Sequence, residues 1–351
     1  PPREYLSLSA EELIERIKAE KEKAGEKTTI LGHHYQAEAI VRLSDFIGDS
    51  FKLCQDAAQA EAENIIFCGV RFMAESARVV ARDDQVVQHP ESRAGCPMAD
   101  MADLPQVEAA WAAISKLQPD RTIIPVTYMN SSVDLKAFCG RHGGIVCTSS
   151  NASKVFDWAY DRGQTILFFP DEHLGKNTAI AKGMDPEKIV VWNPGLHEVQ
   201  EREEKIATAP LIVWKGFCHV HTHFTEGDIR DMREQHPNAH IIVHPECPHE
   251  VVAAADSNGS TAAIVKRVAE AKAGETVIIG TEVNLVHRLG KDYPDVKVLP
   301  LSPSICGNMA KITLPGLLWT LENAKAGLVS VDADTRQYAH LALERMLSLA
   351  G

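Results

Sequence analysis

Short apolar runs alternate with helical stretches along nearly the whole chain. The runs that are typical of strands form three groups: residues 28–31, 64–68 and 85–88; residues 121–126, 144–147, 165–169, 189–192 and 211–214; and residues 240–243, 276–280 and 296–299. Strands that alternate with helices indicate βαβ units. The pattern therefore predicts an α/β protein with parallel sheets.

Helices are predicted at both ends of this alternation. Leu13, Ile14 and Ile17 recur at helical spacing, and Ser9 with Glu12 fits a capping box. Leucine stripes in the tail indicate two further helices. We expect an N-terminal helix over 1–28 and C-terminal helices over 314–351.

The three groups of strands carry similar polar segments. The opening strand of each group is followed by reactive side chains: Gly32-His33-His34-Tyr35, Thr127-Tyr128-Met129-Asn130-Ser131 and His244-Pro245-Glu246-Cys247. Small hydroxyl residues come next: Gly48-Asp49-Ser50, Thr148-Ser149-Ser150 and Asn258-Gly259-Ser260-Thr261. This repetition predicts three similar domains over 29–118, 119–235 and 236–313. Because ligands bind beyond the carboxyl ends of parallel strands, we expect the three domains to share one cavity.

Composition and charge narrow the class of protein. Lys and Arg number 36 against 48 Asp and Glu, a net charge of −12 that disfavours nucleic acid as a partner. No apolar run approaches the roughly 18 residues that span a bilayer, so we expect no membrane contact. The first residues form no apolar core of a signal peptide, which favours a cytoplasmic protein.

Three of the 8 cysteines stand apart from the rest. Cys96, Cys218 and Cys306 each follow the last strand of a group and lie in a loop with a neighbouring glycine, whereas Cys54 and Cys68 fit buried positions. Without an export signal we expect no structural disulfide. The three thiolates are candidate ligands of one metal centre, and scattered structural cysteines are the alternative. A four-iron cluster on three thiolates would keep one iron open for dehydration chemistry.

Histidines and a glutamate offer a second kind of site. His219, His221 and His223 alternate, so in a strand they would share a face and bind zinc as in a hydrolase; solvated loop histidines are the alternative. Glu246 follows an apolar strand and Pro245, which suits acid–base work. A helix cap or an ion pair is the other reading of Glu246.

Matched tyrosines and hydroxyls complete the candidates. Tyr35 and Tyr128 occupy equivalent positions in two groups, where they could transfer protons or simply pack in the core. Ser50, Ser149 and Thr261 lie close before or at predicted helix starts, which suits binding of carboxylate or phosphate as well as ordinary capping.

Ten ordered motifs together resemble the quinolinate synthase family, in its longer bacterial type. They are Gly32-His33-His34-Tyr35-Gln36, Gly48-Asp49-Ser50, Gly69-Val70-Arg71-Phe72-Met73-Ala74-Glu75, Gly95-Cys96-Pro97-Met98-Ala99, Tyr128-Met129-Asn130-Ser131, Thr148-Ser149-Ser150-Asn151, Pro170-Asp171-Glu172-His173-Leu174-Gly175, Ile242-Val243-His244-Pro245-Glu246-Cys247, Gly259-Ser260-Thr261 and Gly280-Thr281-Glu282. The resemblance covers residues 28–320 in order.

The resemblance implies a pseudo-threefold arrangement of the three domains around a central [4Fe-4S] cluster and active site. It implies cluster ligands at Cys96, Cys218 and Cys306. Substrate contacts are implied at His33, Ser50, Tyr128, Met129, Asn130, Ser149, His244, Pro245, Glu246 and Thr261. Tyr35 and His221 are expected in the pocket as well, with Tyr35, Tyr128, His221 and Glu246 as catalytic residues.

The implied reaction condenses iminoaspartate with dihydroxyacetone phosphate to quinolinate and releases phosphate and two waters, on the de novo route to NAD. The resemblance also suggests a transient contact with L-aspartate oxidase and a monomeric or homodimeric enzyme. Two other classes stay open from the residues alone: a zinc hydrolase built on residues 219–223 with His244, and an iron–sulfur sensor. Iron, sulfide and zinc content would separate them.

Overall fold

The computed structural model describes residues 1–195 and 200–349, which form three parallel sheets. The first sheet has the order β2-β1-β3-β4, with β1 at Thr28–His33, β2 at Phe46–Gly48, β3 at Asn64–Cys68 and β4 at Val86–Gln88. The second has the order β6-β5-β7-β9-β8, with β5 at Ile123–Tyr128, β6 at Ile145–Cys147, β7 at Thr165–Phe169, β8 at Ile189–Trp192 and β9 at Leu211–Trp214. The third has the order β11-β10-β12-β13, with β10 at His240–Val243, β11 at Ser257–Asn258, β12 at Thr276–Gly280 and β13 at Lys297–Pro300.

Helices connect the strands and flank the sheets. They are α1 Arg3–Leu6, α2 Ala10–Ala24, α3 Glu38–Leu43, α4 Ser50–Gln59, α5 Arg71–Val80, α6 Leu104–Leu117, α7 Val133–Arg141, α8 Ala152–Tyr160, α9 Glu172–Ala181, α10 Gln200–Thr208, α11 Glu226–Gln235, α12 His249–Ala254, α13 Thr261–Ala269, α14 Val283–Asp292, α15 Leu314–Glu322 and α16 Ala333–Ser348. None of these helices has both the length and the apolar character needed to cross a bilayer.

The three sheets repeat one topology, which confirms the predicted α/β fold with parallel sheets. In each, the first strand of the group lies between the second and the third, and every ladder is parallel. The second sheet differs by the additional edge strand β8. The domain boundaries at 118, 235 and 313 stay a prediction.

The terminal helices are fixed by packing on different sheets. The Ser9–Glu12 capping box is present at the start of α2, as predicted. Ile17 of α2 is buried in one apolar cluster with Leu317 and Leu318 of α15, over the first sheet. Helix α16 packs instead against α7 and β6 of the second sheet. The N- and C-terminal segments are therefore part of the fold rather than appendages.

Hydrogen bonds tie the three sheets to one another around their carboxyl ends. They join the Ser150 hydroxyl to Asp49 at 2.5 Å, the Asn177 amide to the Pro245 carbonyl at 2.9 Å, and Arg288 to the His34 ring at 2.9 Å. Each bond links a different pair of sheets. The loops after the strands are consequently held in a fixed relation, which is the condition for a shared site.

Candidate active site

A cavity lies where loops from the three sheets meet. Its empty volume, including space open to solvent, is about 720 Å³. Thirteen of the fifteen site residues implied by the resemblance line it: His33, Tyr35, Ser50, Cys96, Tyr128, Asn130, Ser149, Cys218, His221, His244, Glu246, Thr261 and Cys306. Met129 and Pro245 are not among the lining residues. The shared cavity expected from the strand-end motifs is thus present.

Each sheet contributes one cysteine to the cavity. Cys96 follows β4, Cys218 follows β9 and Cys306 follows β13, and these three thiols are half-buried whereas the other five cysteines are buried. All cysteines are free. Burial raises the pKa of Cys96 to about 12, with a further contribution from the neighbouring Cys306 and Glu246. Without a bound metal these thiols therefore stay protonated at neutral pH.

The three cysteine thiols and the space beside them fit a bound group that is larger than one ion. A Cβ added at Gly95, which lines the cavity beside Cys96, would meet nothing within 4 Å, so the loop there leaves room. In the described part of the chain, the tight group of three metal-binding side chains is Cys218, His221 and Glu246, whose ligand atoms lie within 4.8 Å of one another. The sulfurs of Cys96, Cys218 and Cys306 line the same cavity without forming such a tight group among the described residues.

Glu246 is the centre of a buried hydrogen-bond network. The Tyr128 hydroxyl donates to its Oε1, and the His221 Nδ1 lies 3.0 Å from its Oε2. Burial alone would raise the pKa of this carboxyl, but the neighbouring His221 and the hydrogen bonds from His221 and Tyr128 outweigh it and hold the pKa below the usual range. Glu246 is therefore an ionised proton acceptor.

A threonine connects Glu246 with the second tyrosine. The Tyr35 hydroxyl lies 2.7 Å from the Thr281 hydroxyl, which in turn lies 3.2 Å from Nε2 of His221. The chain Tyr35–Thr281–His221–Glu246–Tyr128 is thus continuous. Burial raises the pKa of both tyrosines well above the usual value, so both phenols are proton donors at rest.

In two histidines the ring is oriented in the same way, by a hydrogen bond from the backbone amide two residues further along the chain. Nδ1 of His33 accepts a hydrogen bond from the Tyr35 amide at 3.1 Å, and Nδ1 of His244 accepts one from the Glu246 amide at 3.3 Å. Burial lowers the pKa of each ring to about 3, so both are neutral. Because Nδ1 accepts, the proton resides on Nε2, which makes each ring a fixed donor.

Three helices begin at the cavity, one behind each sheet. Ser50 is the first residue of α4 and Thr261 the first residue of α13, while Ser149 precedes α8. The side chains that cap α4 and α13 are Asp49 and Ser260, which accept from backbone amides in the first turn. Ordinary capping is therefore supplied by the neighbouring residues, and the hydroxyls of Ser50 and Thr261 are free of that role.

The histidine segment differs from the zinc-strand hypothesis. Residues 219–223 form turns, with His221 buried and with His219 and His223 exposed. The three rings therefore do not share a face. The reason is local: the Cys218 carbonyl accepts hydrogen bonds from the backbone amides of His221 at 3.0 Å and Thr222 at 2.9 Å, so the chain turns after Cys218 instead of extending.

Sequence reasoning missed some residues that support the site. Lys136 of α7 is fully buried, and its Nζ donates to the carbonyls of Met129 at 2.8 Å and Ser131 at 2.6 Å. It thereby fixes the loop after β5. Nothing in the sequence indicates this, because a lysine in a helix ordinarily faces solvent. Thr281 belongs to the motif Gly280-Thr281-Glu282 but was assigned no role from the sequence, although its place directly after β12 at a strand end could have suggested one.

The fold and the cavity define an α/β enzyme with a buried acid–base centre at the ends of three parallel sheets. Residues 15–348 match the family model of the quinolinate synthetase A proteins. Curated relatives named quinolinate synthase are 48% identical over 355 residues in Corynebacterium glutamicum, 46% over 355 residues in Halobacterium salinarum and 47% over 353 residues in Bacillus mycoides. These alignments cover 99% of this chain and 90%, 94% and 95% of the respective relatives. The chain belongs to the quinolinate synthase family.

Proposed function

We propose that the protein condenses iminoaspartate with dihydroxyacetone phosphate to give quinolinate, phosphate and two waters, as a step of de novo NAD biosynthesis. The atoms balance without any oxidant: C4H5NO4 and C3H7O6P yield C7H5NO4, H3PO4 and two H2O. The reaction thus needs proton transfer, dehydration and loss of phosphate, and no electron acceptor.

Family membership together with one observation carries this proposal: three half-buried cysteines, one from each sheet, line the same cavity as the acid–base centre. Cys96, Cys218 and Cys306 would hold a [4Fe-4S] cluster. Because three thiolates satisfy only three of the four irons, the bound cluster would supply an open Lewis-acid iron that assists loss of a hydroxyl. The remaining chemistry belongs to side chains of the chain itself.

Glu246 and the two tyrosines carry the proton transfers in this scheme. Glu246 is ionised and buried, so it can take a proton from a substrate carbon or nitrogen. The Tyr128 hydroxyl donates a hydrogen bond to Glu246. Tyr128 can give its phenol proton to a leaving oxygen and regain a proton from Glu246. Tyr35, joined to His221 through Thr281, can deliver a second proton from the other side of the cavity. The neutral rings of His33 and His244 orient substrate oxygens through Nε2–H.

Anionic substrates are held without a basic side chain. No lysine or arginine is among the described residues that line the cavity. The amino ends of α4, α8 and α13 face it instead, and helix amino ends favour carboxylate and phosphate. Ser50, Ser149 and Thr261 add hydroxyl donors at these three places. The net charge of −12 is therefore compatible with two anionic substrates.

The instability of iminoaspartate in water determines where the enzyme can work efficiently. Iminoaspartate hydrolyses in water, so a closed cavity and a nearby source both favour turnover. We include in the proposal a transient contact with L-aspartate oxidase, a cytoplasmic location, and a monomeric or homodimeric state.

Anaerobic purification followed by metal analysis and assay tests the proposal. We expect about four iron and about four sulfide per chain, together with quinolinate formation from the two substrates. One zinc per chain, with no uptake of iron and sulfide after a chelator has removed the zinc, would reject it in favour of the hydrolase. A fully loaded cluster with no turnover would reject it in favour of the sensor.

A further inference from the structure

A single-ion site overlaps the proposed cluster position. The ligand atoms of Cys218, His221 and Glu246 lie within 4.8 Å of one another. Zinc–ligand bonds of about 2.0 to 2.3 Å place neighbouring ligands roughly 3.5 Å apart. The His221 Nδ1 and the Glu246 Oε2 are already 3.0 Å apart, and no separation within the group exceeds 4.8 Å, so closing the group around an ion shortens any separation by at most about 1.3 Å.

Each of the two buried residues has one ligand atom that contacts a third side chain. Thr281 contacts the Nε2 of His221 at 3.2 Å, and Tyr128 donates to the Oε1 of Glu246. The remaining atoms, Nδ1 and Oε2, face each other across a 3.0 Å hydrogen bond, so an ion would replace that bond while the other atom of each ligand keeps its partner. Partners of this kind orient metal ligands and sharpen affinity. This is a built site rather than a chance proximity.

We propose that the cluster-free protein binds one Zn²⁺ ion through Cys218, His221 and Glu246, and that this ion blocks assembly of the cluster. One sulfur, one imidazole nitrogen and one carboxylate oxygen form a donor set that suits zinc and does not suit Mg²⁺ or Ca²⁺. Three protein ligands leave the fourth position to water.

Binding exchanges a proton for the metal. The Cys218 thiol loses its proton to the buffer and the sulfur binds Zn²⁺ as thiolate, with no change of oxidation state. The proton on the Nδ1 of His221 moves to Nε2, where Thr281 can accept it in a hydrogen bond, and the carboxylate is already ionised, so one proton is released per ion. The block on cluster assembly rests on the proposed function because it requires Cys218 as an iron ligand. The zinc site itself does not depend on the proposed function.

Titration of the full-length, cluster-free chain with Zn²⁺ against a chromophoric chelator tests the site. We expect one equivalent of Zn²⁺ and one proton released per ion. Substitution with Co²⁺ gives an absorption whose thiolate-to-metal intensity counts the sulfur ligands, and we expect the intensity of one thiolate. No binding, or the intensity of three thiolates, would overturn the proposal.

Variants separate this site from a zinc site on the three cysteines. Cys218→Ala, His221→Ala and Glu246→Gln should each weaken binding at least about tenfold. Cys96→Ala and Cys306→Ala should bind as the wild type does, and so should His223→Ala, whose ring is exposed on the same segment. Circular dichroism of each variant verifies folding, and Cys96→Ala or Cys306→Ala protein that folds without binding Zn²⁺ refutes the assignment.

Cluster assembly on the zinc-loaded chain tests the block. With iron and sulfide supplied anaerobically, we expect assembly only after Zn²⁺ is removed by a chelator. Assembly at the rate of the zinc-free chain while Zn²⁺ stays bound would refute the block. A wild-type chain that binds Zn²⁺ as expected but never takes up iron would instead refute the proposed function and leave the zinc site standing.

Discussion

At the residue scale, the buried carboxylate of Glu246 is the most specific feature of the site. A carboxylate that is 2% exposed is costly unless hydrogen bonds and neighbouring rings stabilise its charge. Tyr128 and His221 provide those bonds, and they keep Glu246 ionised, which is the form a general base requires. Glu246 can therefore be both a partner of His221 in the buried network and the catalytic base.

We predict that Glu246→Gln lowers turnover by about 10²-fold or more, because the amide keeps the size of the side chain but accepts no proton. Single-turnover formation of quinolinate, measured with iron content and melting temperature, checks this. Iron content should stay at the wild-type level, since Glu246 is no cluster ligand in the proposal. A cluster-loaded, folded Gln variant with near-normal turnover would remove Glu246 from the mechanism.

The buried histidines make a prediction about pH. In the unfolded chain His33 and His244 take up protons as the pH falls through about 6.5, whereas in the folded chain burial keeps them neutral down to about pH 3. Stability is therefore fully present above about pH 6.5 and lost as the pH falls toward 3. When the pH is lowered from about 7 to about 5, the unfolding free energy should fall by about 2 kcal/mol for each of the two rings.

Denaturant titrations of His33→Gln at several pH values test that slope. Between about pH 7 and about pH 5 the variant should lose about 2 kcal/mol less than the wild type. His223→Gln, an exposed change on another loop, measures the effect of the substitution itself. Equal slopes for His33→Gln and the wild type would contradict the buried neutral ring.

At the scale of elements, close helix packing holds the C-terminal segment to the second sheet. Gly140 of α7 faces α16 so closely that an added Cβ would lie 1.9 Å from the Tyr338 carbonyl oxygen. Gly290 of α14 has ordinary space, with its nearest neighbour at 3.8 Å from the added Cβ. The two glycines thus form a matched pair, both inside helices but with opposite surroundings.

We predict that Gly140→Ala destabilises the protein by about 1–3 kcal/mol, because two backbones must separate. Gly290→Ala should be neutral or stabilising by up to about 1 kcal/mol, since alanine favours a helix. Unfolding free energies from denaturant titration compare the two. The same change in stability for both variants would show that α7 and α16 are not in close contact.

Elements also show what the sequence could and could not predict. The strands at Asn64–Cys68 and Thr276–Gly280 were predicted to the residue because their apolar runs are fully bounded by polar residues. The strands at Phe46–Gly48 and Ser257–Asn258 were missed, since edge strands of three and two residues carry no pattern of their own. They nevertheless position the hydroxyl segments that begin at Asp49 and Gly259.

Some residues at the cavity could be predicted from the sequence and others could not. Cys96, Cys218 and Cys306 were recognisable because they repeat once in each group of strands, and the cavity includes all three. Lys136 was not recognisable, since its burial comes from the contact between α7 and the loop after β5, which no local pattern encodes. Long-range packing decides such positions.

At the scale of the whole molecule, the threefold repetition places one thiol per sheet on a common cavity. We predict that Cys96→Ala, Cys218→Ala and Cys306→Ala each abolish the cluster, because each removes one of three ligands. Cys54→Ala and Cys247→Ser should keep iron content at the wild-type level, since both side chains are buried and outside the cavity lining. Iron and sulfide analysis of anaerobically purified protein distinguishes the two groups.

An iron-replete Cys306→Ala protein would contradict this assignment. So would loss of iron in Cys247→Ser, which would mean that the third sheet supplies a different thiolate. The Cys247 thiol lies 3.9 Å from the Gly280 carbonyl oxygen, so serine in its place retains a donor toward that oxygen and folding should be kept.

The ratio of products tests the central claim most directly. Cluster-loaded protein is incubated anaerobically with iminoaspartate and dihydroxyacetone phosphate, and quinolinate and inorganic phosphate are measured over time. The proposed reaction predicts that the two appear together, about one phosphate for each quinolinate, in agreement with the atom balance. Phosphate release without quinolinate, or no product from a fully loaded cluster, would contradict the claim that this cavity carries out the whole condensation.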